Sequence, residues 1–131
     1  MFIEVKAGMK IKDLKKQFNA YYPNLKIELF AVATEHNKRN VLDNEIEINS
    51  LIGNNEAIVE FSGQTTVGKF EQLFEAQFGL AVQVFRKSGN VYLETSNTDD
   101  WTLDQEHKEA LSSQVKAESS GSDFTDRDQW E

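Results

Sequence analysis

The chain has 131 residues, 39% of them hydrophobic, and its 22 acidic and 14 basic side chains leave a formal net charge of −8. Nine Phe supply enough apolar volume for a core, which excludes wholesale disorder and fits one domain or two small ones fused. The acidic balance disfavours phosphate backbones and anionic membrane surfaces, and without cysteine neither a disulfide framework nor a Cys-based zinc site can form.

In chain order, the stretch FIEVK alternates as a strand does, giving a first strand at Phe2–Lys6 with no signal-peptide-like apolar run. A helix follows over Lys10–Tyr22, with Ile11, Leu14, Phe18 and Tyr22 along one stripe. Pro23 ends it, because proline disfavours helical geometry in the residue before it. Lys26–Ala33 reads as a second strand, ATEHNKRN as a long turn, and Val41–Leu42 or Glu45–Ile48 as a third strand.

From Ala57 the same plan returns. A strand at Ala57–Ser62 leads to a helix at Thr66–Phe78, opened by a Thr65 or Thr66 cap and closed by Gly79. Leu80–Lys87, the turn KSGN and VYLET then read as a hairpin. Set above one another, the halves match Ile3 with Val59, Ile11 with Val67, Leu14 with Phe70 and Phe18 with Phe74. After a one-residue gap at the turn, Ile27 meets Val82, Leu29 meets Val84 and Phe30 meets Phe85. This pattern is an internal repeat. Thr102 and Gln105 sit in capping-box positions for a last helix reaching about Lys116.

The expected fold is therefore α+β: tandem β-α-β-β repeats in a two-layer antiparallel sheet/helix arrangement with a C-terminal helix, the alternative being a ferredoxin-like one. Residues 1–56 form the first repeat, 57–116 the second with the helix, and 117–131 a disordered acidic tail.

The words FGLAVQVFRKSGNVYLET and TDDWTL resemble a family of small, uncharacterised bacterial proteins with tandem segments of this kind. The resemblance covers most of 57–107 and, more loosely, the first half, with Tyr92 where the family usually has Trp. It implies a bacterial, cytoplasmic protein and a repeat, and carries over no catalytic residue.

Tests for chemistry are negative. His36 and His107 lack any metal-ligand spacing, and Asp123, Asp126 and Asp128 lack the glycine and terminal Glu of a calcium loop. There is no phosphate-binding glycine loop and no G-x-S-x-G elbow. Asp99 and Asp100 precede a helix start, where negative charge is favourable. No catalytic residue, metal or cofactor is expected.

Strand alternation puts Ile27, Leu29, Val82 and Val84 inside, leaving Phe30 and Phe85 on the outer sheet face. That face and the hairpin, through Phe30, Phe85, Arg86 and Tyr92, form the expected binding surface. Its cover is either the last helix, through Leu111 and Val115, or another chain. The expected function is a non-enzymatic protein-interaction or assembly module in the cytoplasm, with a protein partner or self-association and with neither nucleic acid nor membrane. One rival is a small-molecule or nucleotide-processing enzyme, marked by convergence of Asp99, Asp100 and His107. The other is a nucleic-acid binder, marked by a basic stripe through Lys38, Arg39, Arg86 and Lys87.

Overall fold

The structure is a computed structural model that describes residues 1–32, 39–53, 55–95 and 98–120, excluding the side chains of 31, 32, 39, 40 and 113–120. Among the described residues two antiparallel sheets and four helices make a mixed α+β fold. The elements are β1 (Phe2–Val5), α1 (Ile11–Tyr21), β2 (Leu25–Val32), β3 (Arg39–Val41), α2 (Asn49–Ile52), β4 (Ala57–Glu60), α3 (Val67–Phe78), β5 (Ala81–Ser88), β6 (Val91–Glu94) and α4 (Leu103–Ser120).

Each long helix begins and ends where local chemistry dictates. At the start of α1 the Asp13 carboxylate reaches back to the Lys10 N–H at 2.9 Å. Thr66 caps α3 by accepting from the Lys69 N–H, and Gly79 closes it at φ 69°, a left-handed conformation that side chains disfavour. Thr102 and Gln105 exchange the two bonds of a capping box at α4. That helix runs on to Ser120 rather than stopping near Lys116, because Lys116, Ala117 and Glu118 are good helix formers. The expected tail thus loses 117–120 to α4; residues 121–131 lie outside the described ones.

The six strands among the described residues divide between two sheets. β1 pairs with β4 alone, Ile3 opposite Val59, while the other four lie in the order β3-β2-β5-β6. The central β2–β5 ladder runs from Leu25 opposite Arg86 to Phe30 opposite Ala81, with Glu28 facing Gln83. Pairing therefore crosses between the N-terminal and C-terminal halves in both sheets.

The helix starts are held the same way. A first helical turn has donors with no partner inside the helix. In α1 those of Ile11 and Lys12 go to the carbonyls of Ile46 and Asn44; in α3 those of Val67 and Gly68 go to Trp101 and Asp99. Ile48 N–H then returns to Met9, and Leu103 N–H to Thr65. Of these, the donors Ile11 and Val67 are a pair that the sequence alignment of the halves sets together. Ile48 precedes the short α2, an element absent from the sequence reading, and Leu103 opens α4; both are fully buried.

One apolar cluster joins both sheets, α1, α3 and α4. Phe70 lies at its middle, with ring centroids 5.2 Å from Phe18, 5.0 Å from Phe61 and 5.2 Å from Phe74. Phe18 and Phe74 are both 0% exposed. Phe18→Ala and Phe74→Ala are each expected to cost about 3–5 kcal/mol in urea unfolding, the range for emptying a packed phenylalanine site. A loss well below that at either position would mean the surroundings collapse into the space.

Candidate interaction surface

The four residues expected to form one surface are divided by the pleat of β5. Val82, Val84 and Arg86 point towards the core and α4, whereas Ala81, Gln83 and Phe85 point the other way. Phe85 and Tyr92 share the outer face with Lys26, whose ammonium stands 5.5 Å from the Phe85 ring centroid and 4.5 Å from that of Tyr92. Such cation–π contacts fix both rings. Lys26 also bridges to Glu28 at 3.1 Å, and Lys15 of α1 reaches the same carboxylate at 2.5 Å. Burial raises the Glu28 pKa, but the two lysines outweigh it and hold the carboxyl below its ordinary range.

Phe30 occupies the other end of this face. It pairs with Ala81 while Phe85 pairs with Lys26, so the polar Glu28·Gln83 pair lies between them. Both aromatics are half-buried, and they do not form a single apolar patch. The last helix does not cover them. It packs on the opposite side of β5, leaving Leu111 46% exposed; the Val115 side chain lies outside the described residues.

Arg86 belongs to that opposite side. Its guanidinium donates to Glu106 of α4 at 2.8 Å and stacks over Trp101. Glu106 is 0% exposed and also accepts from the Thr98 hydroxyl. Sequence reasoning missed Glu106, although its place between Leu103 and Ala110 on one helical stripe marks it as inward-facing.

Asp99 and His107, two residues of the enzyme rival, make separate contacts. Asp99 lines a cleft of about 190 Å³ with Glu71, Gln72 and Glu75, while its carbonyl serves the start of α3. His107 instead meets Tyr22 edge to face, with ring centroids 5.2 Å apart, beside Asp104. The Tyr22 hydroxyl donates to Asp104 at 2.8 Å, and burial followed by this carboxylate pushes its pKa up. A Cβ at Gly63 would lie 2.2 Å from the same carboxylate, so glycine leaves Asp104 its place. Burial lowers the His107 pKa, with Asp104 opposing it in part. Among the described residues no three acidic or imidazole groups are placed to hold a metal, and no helix is long and apolar enough to cross a membrane. His36, Lys38 and the Arg39 side chain lie outside the described residues.

The hairpin ends in an edge. The four-stranded sheet stops at β6, whose residues are exposed on both faces: Val91 57%, Tyr92 39% and Leu93 42%. The open edge of β1 is covered by side chains. Gln17 of α1 makes both bonds a neighbouring strand would make to Glu4, at 2.8 and 2.9 Å, and Tyr21 bonds the Phe2 main chain. Where β6 falls short of β5, Glu71 accepts from the Val84 N–H and Thr95 donates to its carbonyl. Among the described residues no side chain covers the outer edge of β6 in this manner.

Arg86→Ala is expected to cost about 3–5 kcal/mol in chemical unfolding, because it leaves Glu106 buried and uncompensated. Arg86→Met combined with Glu106→Leu is expected to cost much less; equal losses would show that the ion pair itself stabilises the fold. The His107 shift also carries a sign. Since the unfolded chain takes up the proton at higher pH than the folded one, stability is full above the ordinary His range and falls as pH drops through it. Between pH 8 and pH 5.5, His107→Gln should lose less melting temperature than the wild type, and identical losses would remove His107 as a cause. No family model matches this chain, and no match to a curated protein or a solved structure was found.

Proposed function

We propose that the chain is a non-enzymatic protein-interaction module, built from tandem β-α-β-β units, that takes up an extended protein segment along β6. The observation that carries this reading is the contrast between edges: Gln17 and Tyr21 close the side of β1, whereas β6 presents Val91, Tyr92 and Leu93 to solvent. An uncovered apolar edge strand is a template for another strand, with main-chain bonds giving affinity and alternate side chains giving specificity. Phe85, Tyr92 and Lys26 then form a platform beside the added strand. The net charge of −8 argues against a nucleic-acid partner, and the cytoplasm is the proposed setting.

The test is selection of a displayed library of extended peptides against the wild type and against Glu94→Pro. Glu94 is the residue of choice because its N–H faces away from β5, so proline removes an outward donor without breaking the hairpin. Enriched peptides should bind the wild type and lose about tenfold or more in affinity for the variant. A wild type that enriches no peptide and does not self-associate would overturn the proposal.

A further inference from the structure

We infer that the strand received by β6 is β6 of a second copy of this chain, running antiparallel, with Leu93 of each copy meeting at the two-fold axis. The inference rests on the strand-addition reading above and names its partner. The geometry begins with Lys87, whose N–H donates to the Asn24 carbonyl at 2.9 Å and so points away from β6. Tyr92 lies opposite Lys87 and is therefore not hydrogen-bonded to β5, which leaves its own N–H and C=O directed at the open edge. By the same alternation Glu94, opposite Phe85, directs its main-chain groups outwards.

Two outward-facing residues with one between them are self-complementary. In an antiparallel pair of β6 strands, Tyr92 faces Glu94 of the second copy and Glu94 faces its Tyr92, each pair exchanging both main-chain bonds. Leu93 then meets Leu93 of the second copy on the face turned towards α4, so two side chains that are 42% exposed cover each other. Charge selects the same register. Lys26 stands 4.5 Å over the Tyr92 ring, and Lys87 lies opposite Tyr92 on the same face. Glu94 is the one carboxylate on β6, and this register brings it to that basic site twice, once for each copy. The neighbouring register, with Tyr92 on the axis, turns Glu94 towards Asn90 instead.

The test uses the absence of cysteine from the sequence, which makes any introduced thiol unique. Residues facing each other at a non-hydrogen-bonded site have Cα atoms about 4.5 Å apart, within disulfide reach. Leu93→Cys should therefore oxidise to a covalent dimer, whereas Tyr92→Cys and a surface control, Lys108→Cys, should not. Sedimentation should show a wild-type dimer at micromolar concentration, and Glu94→Lys should weaken it about tenfold or more while amide exchange in β2 and β5 stays unchanged. Cross-linking through Tyr92→Cys in place of Leu93→Cys would overturn the register. A wild type that stays monomeric to about 1 mM, the weak end of specific association, would overturn the second copy as partner. If that monomer still binds displayed peptides, only this inference fails; if it binds none, the strand-addition reading fails with it.

Discussion

The antiparallel ladder between β2 and β5 is the constraint on which the rest of the molecule depends. Leu25, Ile27, Leu29, Val82 and Val84 cover its inner side and are all nearly or fully buried. Removing that apolar area from water is the dominant favourable term, and α1, α3 and α4 gain their positions by packing against it. β3 and β6 hang from its two flanks, so each edge strand exists only because the ladder does. The outer side carries Glu28 opposite Gln83 at its centre, which makes the sheet polar where a second apolar layer would otherwise compete for it.

Ionic groups near the ladder have different tasks on its two sides. Lys15 and Lys26 converge on Glu28 at the outer face, partly in solvent, where ion pairs add little to stability but set the position of Lys26 above its two rings. On the inner side Arg86 and Glu106 meet out of water, and the pair orients α4 on β5 instead of contributing to a surface. A chain with a large acidic excess therefore still places its best-positioned cations where they organise structure.

What could be read from the sequence was what short-range chemistry decides. The stripe through Ile11, Leu14 and Phe18, the Thr66 cap, Gly79 and the Thr102–Gln105 box each act within a turn or two, and each is present. Alternation also separates Ile27 and Val84 from Phe30 and Phe85 correctly, since the pleat alone sets that choice. Neighbour choice is different. Nothing local tells β1 to pair with β4 in a sheet of its own, or that antiparallel pairing sends Phe30 and Phe85 to opposite ends of one face. Adjacency in sequence groups Arg86 with Phe85, although adjacent residues of a strand look in opposite directions. That separation, unlike the register, was available from periodicity.

Because β1 finds its partner in β4 and β2 finds its main partner in β5, the N-terminal half holds few of its own sheet bonds. During synthesis this has a temporal consequence. At about 5–20 residues per second, the strands that complete both sheets follow the first half by a few seconds. Over that interval β1 lacks its partner and β2 has only β3 beside it. Neither sheet of this protein is therefore complete until its second half has been made.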